Sequence, residues 1–118
     1  MILVDTSVWV DHFRAADSRL TDLLLEGHVL SHAFVTGELA CGNMRRRAEV
    51  LALLGALPQL PTMASEDALR FLDVQHLMGK GLGWIDVHLL ASVVVSREQL
   101  WTKDRRLADA AHRLGVAA

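Results

Sequence analysis

The sequence predicts an α/β fold with a central, mainly parallel sheet flanked by helices. Three observations carry that expectation. Ile2 to Val4 is a short apolar run without alternation, which fits a strand covered on both faces. Extended segments then alternate with stretches of helical periodicity along the whole chain, the pattern of a parallel sheet with crossover helices. Acidic residues also stand where the first and last extended segments end, at Asp5 and Asp104, and open α/β sheets gather ligands beyond the carboxyl ends of their strands.

Taken in order, Asp17 reads as the N-cap of a helix carrying Leu20, Leu23 and Leu24 at i, i+3, i+4 spacing and stopped by Gly27. His28 to Ser31 reads as a strand, Ala33 to Cys41 as a helix closed by Gly42, and Arg45 to Leu54 as a helix ending before Gly55 and Pro58. A short strand is expected near Leu60. Ser65, Glu66 and Asp67 make an acidic helix start, followed by an apolar face of Ala68, Phe71, Leu72, Val74 and Met78. Glycines at 79, 81 and 83 break that pattern. Trp84 to Val95 is an apolar segment of helical length, Gln99 to Trp101 a strand, and Leu107, Ala110, Ala111 and Leu114 an amphipathic stripe on a helix that begins at Asp104.

The 118 residues make one domain, 1–118, with no repeat, linker or low-complexity tract. Cys41 is the only cysteine, so no internal disulfide can form. No basic leader precedes Ile2 and no apolar run is long enough to span a bilayer, which points to a soluble, cytoplasmic protein. A net charge of −2 argues against a general nucleic-acid coat. Basic residues nevertheless cluster at Arg45 to Arg47 and at Lys103, Arg105 and Arg106, so a local basic rim on an acidic body is compatible with the composition.

Four carboxylates concentrate the chemistry. Asp5 and Asp104 are predicted on one edge of the sheet. Asp86 lies in the first turn of the apolar segment, among Ile85, Val87, Leu89 and Leu90, and Glu38 sits between Phe34, Val35, Leu39 and Ala40. A buried carboxylate is costly unless it is neutralised, paired or metal-bound. Singly, each acid has a structural use. Asp86 and Asp104 suit helix starts, Glu38 suits a partner among Arg45 to Arg47, and Asp5 suits a turn with Thr6 and Ser7. Together they repel by about 4 kcal/mol per close pair at an effective dielectric near 20, which calls for a cation. All-oxygen ligands favour Mg²⁺ or Mn²⁺, and the chemistry that follows is hydrolysis of a phosphoester.

The segments Val4-Asp5-Thr6-Ser7-Val8-Trp9, Gly37-Glu38-Leu39, Gly83-Trp84-Ile85-Asp86 with His88-Leu89-Leu90, and Leu100-Trp101-Thr102-Lys103-Asp104 closely resemble those of PIN-domain ribonucleases of the VapC toxin type. The resemblance spans essentially the whole chain. It implies a three-layer PIN-like fold and metal-dependent endoribonuclease activity, with Asp5, Glu38, Asp86 and Asp104 as an acidic quartet around Mg²⁺ or Mn²⁺. Ser7 and Thr102 match supporting polar positions. A homodimer, and inhibition by a small cognate antitoxin, are implied as well. A further acid sometimes found after the fourth has only Asp109 as a counterpart. Lys80, Lys103, Arg105 and Arg45 are candidates for contacts with the RNA backbone. The expected products carry a 5′-phosphate and a 3′-hydroxyl.

Other features count for less. Gly79-Lys80-Gly81-Leu82-Gly83 matches neither phosphate-loop spacing and reads as a flexible turn. His28 and His32 lie two pleats apart on an expected strand, which does not suit zinc, and His88 reads as a surface or hydrogen-bonded histidine. Trp101 is expected in the core, whereas Trp9 and Trp84, each near a carboxylate, could line a groove, support a dimer or fill core. Loops between Asp11 and Asp17 and around Arg45 are expected to meet partners or substrate. Two other functions compete: a noncatalytic protein-binding module whose acids pair with arginines, and a small-molecule metal-dependent phosphohydrolase. Against an aspartyl-phosphate version of the latter, Ser7 stands where an Asp-x-Asp motif needs its second acid.

Overall fold

The computed structural model describes residues 1–118. Strand β1 (Ile2–Val4) leads through α1 (Thr6–Arg14) and α2 (Ser18–Leu25) to β2 (Val29–Leu30). Four helices, α3 (Ala33–Ala40), α4 (Arg47–Ala56), α5 (Ser65–Val74) and α6 (Trp84–Ser96), precede β3 (Gln99–Trp101), and α7 (Arg105–Arg113) follows it. The strands lie in the order β2-β1-β3, all parallel, with Leu3 opposite Leu30 on one side and Leu100 on the other. Single parallel bridges extend the sheet at both ends, Ser31 to Gln59 and Leu100 to Ala117. The expected strand near Leu60 is thus reduced to one bridge.

This order fixes where the chemistry can be. After β1 the chain moves toward β2, and after β3 it moves the opposite way, toward Ala117. The carboxyl ends of β1 and β3 therefore flank the topological switch point, where connections diverge and leave a crevice. Asp5 and Asp104 follow those two ends. Right-handed crossovers running in opposite directions place helices on both faces of the sheet, which gives the three layers.

Burial explains the elements. Leu3 and Val4 are both fully buried, as a central parallel strand requires. Seven consecutive residues of α6, Val87 to Val93, are buried, so this helix passes through the core rather than lying on it. One element departs from the sequence expectation. Thr6 to Arg14 is a helix rather than a turn and loop, so the connection expected between Asp11 and Asp17 shrinks to the residues after Arg14. Its anchor is Trp9, fully buried and stacked on Phe13 at 5.8 Å between ring centroids, which assigns this tryptophan to the core. On α5, Ala68 is buried and Phe71 and Leu72 pack against the core, but the helix ends at Val74. Val74 and Met78 are exposed instead of continuing the apolar face.

Leu3→Ala, at the centre of the sheet, is expected to lower unfolding stability by about 2–5 kcal/mol through lost burial and the cavity left behind. Urea denaturation followed by far-UV circular dichroism measures it, and a change well below that range would show that Leu3 is not locked in the core.

Candidate active site

Asp5 occupies the N-cap position of α1, yet its side chain makes no capping hydrogen bond. It faces two hydroxyls instead. Thr102 Oγ1 donates to Asp5 Oδ2 at 2.7 Å, and Ser7 Oγ donates to the same oxygen at 2.9 Å. The hydroxyls are held from behind, because Lys103 N–H donates to Ser7 Oγ at 2.9 Å and Asp104 N–H donates to Thr102 Oγ1 at 3.0 Å. Each hydroxyl has a single proton, and with both directed at Asp5 their lone pairs are left for the backbone donors. The 3.3 Å approach of Ser7 Oγ to Thr102 Oγ1 then carries no proton. Polarisation runs one way, from backbone N–H through hydroxyl to carboxylate, so each bond strengthens the next.

The other three acids are also tethered by one oxygen. Asp86 Oδ2 accepts Gly83 N–H at 3.0 Å, Asp104 Oδ1 accepts Leu107 N–H at 3.0 Å, and Glu38 Oε1 accepts the Thr6 hydroxyl at 3.0 Å. Asp86 and Asp104 therefore do serve as helix-start residues. That duty occupies only half of each carboxylate. Asp5 Oδ1, Glu38 Oε2, Asp86 Oδ1 and Asp104 Oδ2 accept no hydrogen bond from the chain. Glu38 and Asp104 are exposed, and neither Asp5 Oδ1 nor Asp86 Oδ1 is sealed from solvent. None of the four acids forms a salt bridge. The pairing of Glu38 with Arg45 to Arg47 does not form, and Arg47 instead donates twice to the carbonyl of Ala40, at 3.1 and 3.0 Å.

Electrostatics ties the four together. Partial desolvation raises the Asp86 carboxyl above its ordinary value; the Gly83 N–H opposes this, while the charges of Asp5 and Asp104 add to it. Glu38 is raised in the same way, first by desolvation and then by Asp5 and Asp86, against the bond from Thr6. Each of the four thus repels at least one other, with no basic side chain in compensation. No three carboxylate, histidine or cysteine groups close in tightly enough to enclose an ion by themselves. An open set of single oxygens on hard ligands is the donor set that suits Mg²⁺ or Mn²⁺, since Mg²⁺ keeps several waters and takes few protein ligands.

Around this set the remaining candidates sort by partner. Lys80, Arg105 and Arg45 are exposed and carry no acidic partner. Lys103 is engaged, with Nζ 3.0 Å from Asp11 Oδ2 and 3.9 Å from Asp17 Oδ2, so its charge is already compensated. His88 corrects the sequence reading. It is 1% exposed rather than on the surface, and neither ring nitrogen has a hydrogen-bond partner. Burial holds its pKa below the ordinary value, and the neutral ring packs edge-on to Phe34 and Trp84 at 4.7 and 4.6 Å. Trp84 remains 41% exposed at the start of α6, and Trp101 is half-buried under the Arg19 guanidinium, 4.3 Å from the ring centroid. Thr6, the partner of Glu38, was not singled out by sequence. Asp5 read as an N-cap would have placed Thr6 in a first helical turn.

A groove of about 1020 Å³ opens beside Glu38 and Thr6, between α1, α3 and α4. Val10, Phe13 and Leu53 contribute apolar surface, and Arg14, Arg45 and Arg46 contribute positive charge.

Comparison with known proteins assigns the chain to a family. A family model described as PIN domain matches residues 2–113. The chain is 47% identical over 118 residues to Ribonuclease VapC32 of Mycobacterium tuberculosis, in each of two strains, with 99% of this chain and 95% of the relative covered. The crystal structure of PAE2754 from Pyrobaculum aerophilum superposes with a TM-score of 0.65 at 16% identity, covering 99% of this chain and 87% of that one, which extends the likeness in fold.

Raised carboxyl values mean that the folded chain retains protons which the unfolded chain has released. The stability contributed by Glu38 and Asp86 is therefore full below ordinary carboxylate values and is lost as pH rises through the raised folded values. Asp86→Asn keeps an acceptor for Gly83 N–H and removes one charge. In chelator at neutral pH it is expected to raise the melting temperature by about 2–5 °C. The gain should vanish as pH falls toward 3.8, the ordinary value for Asp86. Thermal melts across this range test it, and a gain that does not change with pH would contradict the repulsion.

Proposed function

From the chain's membership of the PIN-domain family, in its VapC ribonuclease branch, we propose that it is a Mg²⁺- or Mn²⁺-dependent endoribonuclease, the toxin of a toxin–antitoxin pair. One observation carries the reading: four carboxylates at the switch point, each tied to the chain by one oxygen, each with the other oxygen free, and none paired with a base. A binding module whose acids pair with arginines does not account for that pattern.

In this reading Asp5 Oδ1, Glu38 Oε2, Asp86 Oδ1 and Asp104 Oδ2 are the oxygens that would hold the cation. When bound, the cation polarises the scissile phosphate and lowers the pKa of a water. The chain's own part is positional. Ser7 and Thr102 lock Asp5 onto the loop that carries Asp104, Thr6 locks Glu38, and the Gly83 N–H locks Asp86. No side chain is assigned as general base. Protonation of Glu38 or Asp86, favoured by their raised values, competes with the cation, so activity falls on the acid side.

In this reading the cognate antitoxin docks in the groove beside Glu38, where an apolar floor and a rim on which Arg14, Arg45 and Arg46 outnumber Glu38 and Glu49 suit an amphipathic acidic segment, with an arginine of the antitoxin reaching the free carboxylate oxygens. A cytoplasmic homodimer completes the proposal. Leu69 and Val74 of α5 and Val95 of α6 are exposed apolar side chains away from the acids and available for such a contact. No helix is long and apolar enough to cross a membrane.

The test is cleavage of a mixed structured-RNA pool with Mg²⁺, Mn²⁺ or chelator, with fragment ends mapped. Metal-dependent cuts leaving 5′-phosphates are expected, reduced at least about 100-fold in Asp86→Asn and in Asp104→Asn, both of which keep their helix-start acceptors. Cleavage that survives in either variant would remove that acid from the site, and release of inorganic phosphate from small esters with RNA intact would favour the phosphohydrolase.

Thr102→Val removes the shorter bond to Asp5 and the acceptor of Asp104 N–H while keeping side-chain volume. A loss of about 10–100-fold in metal affinity is expected, the usual cost of removing a residue that orients a ligand. Direct Mn²⁺ titration measures it, and unchanged affinity would deny the hydroxyls their orienting role.

A further inference from the structure

Arg106 is not explained by the fold. It is the second residue of α7, next to Arg105, so two cations stand at the helix end where the macrodipole disfavours positive charge. Neither arginine has an acidic partner; the bases at the other end of α7, His112 and Arg113, are where the dipole favours them. Arg106 forms no hydrogen bond within the chain either. It is nevertheless placed. A Cβ added to Gly81 would lie 2.6 Å from Arg106 Cδ, 2.6 Å from Nη1 and 2.9 Å from Cζ, so the guanidinium end lies directly against the bare Cα of Gly81. Gly81 also has φ +76°, a conformation that side chains rarely adopt.

The contact joins two acid-bearing segments. Gly81 lies two residues before Gly83, whose N–H holds Asp86, and Arg106 lies two residues after Asp104. The fork therefore lies at the junction of the segments that carry Asp86 and Asp104, and no carboxylate pairs with it. Arginine presents planar paired donors that match phosphate oxygens, and a lysine, as a point charge, does not replace that geometry. We propose that Arg106, seated on Gly81, binds a backbone phosphate of the RNA next to the scissile one. The glycine at 81 is then a seat for the arginine rather than only part of a flexible turn.

This rests on the ribonuclease reading, and the experiment separates the two. Arg106→Ala, Arg106→Lys and Gly81→Ala are compared with Arg70→Ala, which alters a surface pair on α5. Cleavage is measured with Mg²⁺, and binding of a fluorescein-labelled mixed-sequence RNA oligonucleotide is measured by anisotropy in an Asp86→Asn background over a range of salt. For Arg106→Ala a loss of about tenfold in affinity is expected, with the salt slope smaller by about 0.7, one phosphate contact on a single strand. Arg106→Lys should restore the salt slope but not the full affinity. Gly81→Ala, checked for folding by its thermal melt, should resemble Arg106→Ala. If the unmodified chain cleaves RNA while Arg106→Ala keeps its affinity and salt slope, the inference is overturned and the ribonuclease reading stands. If the unmodified chain neither cleaves nor binds RNA, both fall.

Discussion

The hydroxyls of Ser7 and Thr102 on one oxygen of Asp5 are the contact from which the acidic site is organised. Asp5 leaves the end of β1, and Thr102 follows β3, so their 2.7 Å bond ties the two strands on either side of the switch point. The same hydroxyls receive the backbone N–H groups of residues 103 and 104, which fixes where Asp104 departs. A carboxylate at an N-cap ordinarily bonds its own helix. Asp5 does not, and α1 begins with its orphan N–H groups unserved by that side chain. A local preference is set aside in favour of a tertiary geometry, and departures of that kind are expected at functional sites.

The cost of the site is charge. Glu38 and Asp86 are both displaced upward by desolvation and by neighbouring acids, and no arginine compensates them, although several are close in sequence. The surrounding core is built without charged side chains. Leu3, Val4, Trp9 and the buried run of α6 lie below the carboxyl ends of the strands and are close-packed apolar residues. His88, buried with no partner for either ring nitrogen, is the one polar group in that run of α6 left without a hydrogen bond. Neutral, it acts as an aromatic wedge between Phe34 and Trp84.

Much of the fold was legible in the sequence because strand and core helix are coded locally. Ile2 to Val4, Gln99 to Trp101 and the apolar stretch from Trp84 carry their burial in composition. Helix α1 escaped because Val8, Trp9 and Val10 are consecutive apolar residues with no helical stripe, and the signal that mattered, Asp5 as a helix start, was absorbed into a turn. The end of α5 was overrun because Val74 and Met78 suit the spacing while their burial depends on neighbours that sequence does not display. For the acids, sequence posed helix-start and site roles as alternatives. Asp86 and Asp104 have two oxygens each, and only in the folded chain is one seen bound and the other free. The compensation of Lys103 by Asp11 and Asp17, and the seat of Arg106 on Gly81, arise from tertiary proximity alone.

The measurement that bears most directly on the central claim is a titration of the purified chain with Mn²⁺, followed by electron paramagnetic resonance, alongside Asp5→Asn. If the four free oxygens form a cation site, the free Mn²⁺ signal will be depleted saturably at a fixed stoichiometry. Binding will be weakened in the variant, and excess Mg²⁺ will reverse it. A free Mn²⁺ signal that rises linearly from the first addition, identical for both chains, would contradict the account.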